Sequence, residues 1–198
     1  AHFGGPIPWM HKVHSETNMV SLNYYHDKNT PQRHLAMHPR LKSKIPKMLE
    51  WRFVDSDWYV WLDSSIRLKN IDITEIILET AGNNPLCLFK HTKGNTIEEE
   101  AKSIRAQLES RNEYFTNRYS GEPIINQLVD YYGDQEFNDD SLFSMTFFAY
   151  NKKALKLMEE WFIHNVIWTI EDQISFPYLL KKSGLGYSLF DGTIQSNQ

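Results

Sequence analysis

An α/β fold, with a mixed and mostly parallel central sheet flanked by helices, is the architecture this sequence predicts. Three observations carry that expectation. Short runs rich in β-branched and aromatic residues recur near 18–25, 58–62, 86–90, 143–150 and 187–190, and helical periodicity fills the gaps between them. One of these runs, Trp58–Leu62, is apolar without interruption, as in a strand buried on both faces. The 198 residues, 41% hydrophobic and 14% aromatic, suffice for one core, and no repeat or linker divides them, so a single domain over 1–198 is expected.

Taken in order, the first run, Asn18–Tyr25, reads as a strand. In the basic stretch that follows, Arg40, Lys44 and Lys47 stand at spacings of four and three, which aligns three cations on one face if a helix survives Pro46. The strand Trp58–Leu62 then turns polar at Asp63-Ser64-Ser65, and Leu86–Lys90 forms the next strand. One helix is expected from Ile97 to Arg118, with Ile97, Ala101, Ile104, Leu108 and Phe115 on its inner face. Pro123 opens another, with Ile124, Leu128 and Tyr132 inward. The polar stretch Gly133–Ser141 reads as a mobile flap. After the strand Phe143–Tyr150, Asn151 caps a helix carrying Leu155, Met158, Trp161 and Phe162 inward. The last helix, Ile170–Lys182, stops at Gly184, and Pro177 should kink it or shift its start.

The net charge of −4 disfavours a nucleic-acid partner held by broad phosphate contacts. Charge is unevenly spread, however. Lys28, Arg33, Arg40, Lys42, Lys44, Lys47 and Arg52 crowd one stretch, and a local basic strip in an acidic protein suits a small anionic ligand. The lone Cys87 sits in the apolar run LCLF and reads as a buried thiol. No run approaches the roughly 20 apolar residues of a membrane span, and no charged-then-apolar leader is recognised, so a cytoplasmic protein is expected. An apolar strand would normally lead into a glycine turn such as Phe3-Gly4-Gly5.

Ligands in open α/β sheets bind beyond the carboxyl ends of strands, which is where Asp63 falls. Its carboxylate either holds a hard cation such as Mn²⁺ or Mg²⁺, which bridges a nucleotide's phosphates, or caps the following turn. Thr169-Ile170-Glu171-Asp172 equally spells a capping box, with Thr169 as the cap. Yet Glu171, Asp172 and Gln173 are also the group types that glycosyl transfer needs near an anomeric carbon. The Arg40/Lys44/Lys47 face either neutralises a departing diphosphate or is simply solvated. Phe3-Gly4-Gly5 is a close-approach loop under a nucleotide or an ordinary turn. His34/His38 and His11/His14 lack acidic or cysteine partners for a metal, whereas His91 ends a strand on the ligand side, in reach of sugar or phosphate. Asp55-Ser56-Asp57 precedes its strand and reads as the entering turn. GxSxG, P-loop and GxGxxG signatures are absent.

Three blocks in order, KSKIPKMLEWRFVDSDWYVWLDSSIRL, FKHTKGNTIEEEA and EDQISFPYLL, resemble GT-A (Rossmann-like) glycosyltransferases of the plant mucilage-related type and glycosyltransferase domains encoded by chlorella viruses. That resemblance implies a nucleotide-sugar donor, above all a UDP-sugar, a glycan or glycoprotein acceptor, and a divalent Mn²⁺ or Mg²⁺. Carried over by position, it implies a metal at Asp63 and puts Lys44, Lys47, His91, Asp172 and Gln173 around the donor and reaction centre; Phe3, Gly4, Gly5, Arg40, Ser64 and Glu171 join them as candidate donor and catalytic residues from the sequence pattern alone. The second metal position falls on Ser65, so either Asp63 and water do more of the binding or another carboxylate, such as Asp191, supplies a ligand. Ser65 replaces the acid that usually binds the metal directly, and Glu171 stands where the family block has Arg. The Asp-Gln pair leans towards a retaining transfer. A catalytically weak carbohydrate-binding or scaffold domain of the same fold, and a nucleotide-sugar hydrolase, stay open beside the transferase.

Overall fold

The computed structural model describes residues 20–26, 29, 39–68 and 72–194. Four strands form one sheet in the order β1-β3-β2-β4, with β1 at Trp58–Leu62, β2 at Leu86–Lys90, β3 at Phe143–Asn151 and β4 at Ser188–Leu189. The sheet is mixed, but the expectation of mostly parallel strands is corrected. β3 runs antiparallel to both β1 and β2, and only β2 and β4 pair in parallel. The physical reason is the placement of the long strand β3, which enters between the two strands whose carboxyl ends it meets head-on. The first expected strand is also corrected: residues 20–25 are irregular, and 18–19 lie outside the described residues.

Helices cover both faces of the sheet. On one side lies α2 (Ile73–Ala81), capped by Asp72 and packing Ile73, Ile77 and Ala81 onto Cys87, Phe89, Phe147, Ala149 and Phe190. Cys87 is fully buried there, as the sequence implied. On the other side lie α1 (Pro39–Leu49), α3 (Ile97–Glu109), α4 (Glu113–Tyr119), α5 (Ile124–Gly133), α6 (Leu155–Ile167) and α7 (Asp172–Ser183). Tyr59 and Trp61 of β1 join Phe148, Tyr150, Trp161 and Phe176 in that larger core. Alternation along β1 thus feeds two cores at once.

Several local expectations shift. The helix expected over 97–118 breaks at Ser110–Asn112, where Arg111 takes φ 57 and Asn112 caps α4 through Tyr114 N–H and Phe115 N–H. On α5 it is Tyr131, not Tyr132, that is buried, so the inner stripe is Ile124, Gln127, Leu128 and Tyr131. The stretch 133–141 is pinned rather than flap-like. Asp139 accepts from Ile97 N–H at 2.9 Å at the start of α3, and Asp140 and Asp134 pair with Lys181 and Lys182 at 2.9 and 3.3 Å. Asp134, Asp139 and Asp140 are thus engaged in helix capping and ion pairs. Pro46 and Pro177 both lie inside continuous helices. Pro177 removes the donor that would bond the Gln173 carbonyl, and α7 starts at Asp172 rather than Ile170.

Candidate functional site

The start of α7 is the most heavily charged buried point in the described structure. Asp172 Oδ2 accepts from Lys44 Nζ and from Lys47 Nζ, each at 2.5 Å, and all three side chains are under 10% exposed. Two turns of α1 therefore converge on one carboxylate of α7, so the helix survives Pro46 and its lysines face inward. Lys47 Nζ also lies 5.6 Å from the Trp61 ring and 5.8 Å from those of Phe148 and Trp161. Burial by itself would raise the Asp172 pKa, but the two ammonium groups outweigh it and hold the carboxyl well below the usual range. Burial lowers the Lys44 pKa, and Asp172 opposes that shift.

Glu171 is the residue that caps α7, accepting from Gln173 N–H at 3.1 Å. The expectation that Thr169 caps is corrected: its hydroxyl donates instead to Gln127 Oε1 at 2.8 Å. Tyr119 donates to the other Glu171 oxygen. Burial, and then the neighbouring Asp172 charge, raise the Glu171 pKa. The same field reaches Glu100 on α3, which burial and the charges of Glu171 and Asp172 push up to about 7. Neither Tyr119 nor Glu100 stood out in the sequence, because nothing in a helix-surface pattern says which neighbouring helix end it will meet.

In front of this cluster opens a polar cavity of about 290 Å³. Ser65 enters it from the turn after β1, His91 and Lys93 from the end of β2, Ser144 and Thr146 from β3, and Gln173 from α7. The cavity thus sits at the carboxyl ends of β1 and β2. A register shift between Leu88 and Phe89 sets Phe89 opposite Ser144 and Lys90 opposite Phe143. Ser144 and Thr146 have a signal in the sequence: two hydroxyls at alternate positions on one face of an apolar strand. His91 Nδ1 accepts from Lys93 N–H at 3.4 Å, and burial with the Lys93 charge lowers its pKa, against a hydrogen bond to the Gly94 backbone.

Asp63 flanks this cavity. Its N–H donates to Thr146 O at 2.8 Å, and its Oδ1 accepts from Trp61 Nε1 at 2.6 Å. Ser64 faces the other way, into a second cleft along β1. Arg40 lies 5.6 Å from the Tyr114 ring, away from the cavity-lining residues, and Asp191 is exposed just beyond β4. Asp55 and Asp57 pair with Lys152 at 2.9 and 3.8 Å at the entry to β1. Phe3, Gly4, Gly5, His11, His14, His34 and His38 lie outside the described residues. Among the described residues, no group of three or more His, Cys, Asp or Glu side chains is placed to hold a metal ion. No helix among them is long and apolar enough to cross a membrane.

No family model, curated protein or solved structure matches this chain.

Proposed function

We propose that this chain is a glycosyltransferase of the GT-A type, moving a hexose from a UDP-sugar to a glycan or glycoprotein acceptor. One observation carries the reading. The turn after β1, the His91 end of β2 and the start of α7, distant in sequence, line one polar cavity where α/β sheets bind ligands. In it the Gln173 amide orients the sugar, the hydroxyls of Ser65, Ser144 and Thr146 and the neutral His91 ring bond its polar groups, and Lys93 draws the phosphates. Lys44 and Lys47 act indirectly on this reading. Both ammonium groups are engaged by the buried Asp172 carboxylate, so they fix the start of α7 rather than bind the diphosphate.

The described residues build no cage for a divalent ion, since Asp63 is a single carboxylate with one oxygen on Trp61. Asp63 would be the one protein ligand for a Mn²⁺ or Mg²⁺ ion brought in on the donor's phosphates, a common mode for Mg²⁺. Such an ion would supply charge neutralisation for the diphosphate.

Calorimetric titration with UDP, UDP-glucose, UDP-galactose and GDP-sugars, each with Mn²⁺ and with EDTA, tests the reading. Binding of a UDP-sugar that EDTA abolishes is expected, and Asp63→Ala should lower transfer by roughly 10²-fold or more. Absence of binding by every sugar nucleotide discards the donor site. The replacement of an acid by Ser65 favours one second reading, a domain that kept the fold and lost the chemistry. That domain would bind sugar nucleotides with or without metal and turn none over.

A further inference from the structure

β1 is an edge strand: it pairs with β3 on one side and with no strand on the other among the described residues. Asp63 N–H donates to Thr146 O in the same antiparallel register, so Tyr59 and Trp61 also turn their backbone groups to β3, whereas Trp58, Val60 and Leu62 turn theirs outward. Ser56 Oγ donates to Trp58 O at 3.0 Å. The N–H and C=O groups of Val60 and Leu62 meet no partner among the described residues. Natural sheet edges are blunted by shortness, lysine, proline or a bulge. β4, at the opposite edge, has two residues, but Trp58–Leu62 has five, with no charge, no proline and an unbroken register. Along this unguarded edge runs a cleft of about 520 Å³, walled by β1, α2, the end of α1 and residues 20–25. No backbone hydrogen bond joins 20–25 to β1.

We propose that this cleft receives an extended, uncharged segment of a separate polypeptide, which adds to the sheet as a strand beside β1. A row of alternating N–H and C=O groups is matched by another backbone, which is how extended peptides join exposed sheet edges. Size agrees. From its rise, its spacing to the next strand and the distance between packed layers, an added strand fills roughly 160 Å³ per residue, so the cleft holds about three residues. Charge sets the chemistry of the segment. The acids and bases of the lining are engaged within the chain: Lys47 by Asp172, Glu50 by Tyr25 and Asn23, and Asp57 by Lys152. What is left for the segment's side chains is largely aromatic and aliphatic wall, including Tyr24, Trp58, Trp61, Ile73 and Ile77.

Continuity with the polar cavity selects a visiting segment. Ser64 lines this cleft and Ser65 lines the cavity, so a strand laid along β1 ends beside the site. On the transferase reading the segment belongs to a polypeptide acceptor, and that clause alone rests on that reading. The test uses neither donor nor metal and so succeeds or fails independently of it. The full chain is titrated with the capped pentapeptide Thr-Val-Thr-Val-Thr, followed by tryptophan fluorescence and amide hydrogen exchange. Saturable binding is expected, with exchange at saturation slowed roughly tenfold at Val60 and Leu62 and changed much less at Tyr59 and Trp61, which β3 already holds. N-methylation of the peptide's central amides should weaken binding roughly tenfold. Val60→Pro removes an N–H that bonds nothing among the described residues, an orientation in which edge strands accept proline. Its melting temperature should stay near wild type while affinity falls roughly tenfold. Gln173→Ala should bind the peptide as wild type does. The proposal is overturned by absence of saturable binding, by affinity indifferent to N-methylation or to a folded Val60→Pro, by loss of binding in Gln173→Ala, or by unchanged exchange at Val60 and Leu62. A dimer of the chain alone that Val60→Pro dissolves would overturn it too, by giving the edge to a second copy.

Discussion

The ion cluster beneath the start of α7 and the polar cavity in front of it are built from consecutive residues, yet they differ in how far their polar groups are satisfied. Asp172 meets two ammonium groups, and Glu171 meets Tyr119 and a backbone N–H. One residue later, the Gln173 amide makes no hydrogen bond among the described residues although it lines the cavity. A polar group whose bonds are complete within the chain is architecture, since burying it without them would be costly. A polar group left open on a cavity wall is available to a ligand. The three residues of the Glu171-Asp172-Gln173 block thus divide into two jobs.

Breaking the cluster should have the largest effect. Asp172→Ala leaves two buried lysine charges unpaired, a loss of about 3–5 kcal/mol. For a chain of this size that lowers the melting temperature by roughly 10 °C, readable by calorimetry. The carboxyl is held below its unfolded value, so its contribution is present above the ordinary carboxylate range and lost as pH falls through the depressed one. Wild type and variant should therefore converge in stability at strongly acid pH. A variant that melts like wild type but has lost activity would reverse the comparison and return Asp172 to the chemistry.

Gln173→Ala should do the opposite. With no internal bond lost from its side chain, stability should change by no more than about 0.5 kcal/mol. Sugar-nucleotide affinity or turnover should fall by roughly 10- to 10²-fold, as for losing one positioned donor. Unaltered binding and turnover would leave the cavity without its strongest support.

This division also explains what the sequence displayed. β1 and β2 were legible to the residue, because an apolar aromatic or β-branched run bounded by turns has few other fates. The meeting of Ser65, His91 and Gln173 followed from placing each at a strand end or helix start. The direction of β3 was not legible, since strand periodicity is the same in both senses and the long excursion from Leu86–Lys90 to Phe143 hid the antiparallel return. Nor was the fate of Lys44 and Lys47, since spacing puts two cations on one face but does not say whether that face meets water or a buried carboxylate 128 and 125 residues away.

Glu100 joins the two regions, and the smallest predicted effect lies there. It feels Glu171 and Asp172 from the cluster and Lys93 from the cavity rim, and burial with the two acids pushes it up to about 7. A carboxyl raised above its unfolded value stabilises the fold fully below that value and loses the contribution as pH rises through the folded one. Here that window runs from the ordinary glutamate value of 4.5 to about 7. Glu100→Gln carries no such charge, so it should match wild type near the acid end and exceed it by about 1 kcal/mol, a few degrees of melting temperature, at pH 8. Melting curves across that range read the difference directly. Parallel curves at every pH would mean that Glu100 does not sense the cluster, and that the cavity rim is electrostatically separate from the acids behind it. Curves that part as expected would make Glu100 the reporter of both, because an anion seated near Lys93 would offset that positive charge, push the carboxyl further up and extend the loss to higher pH.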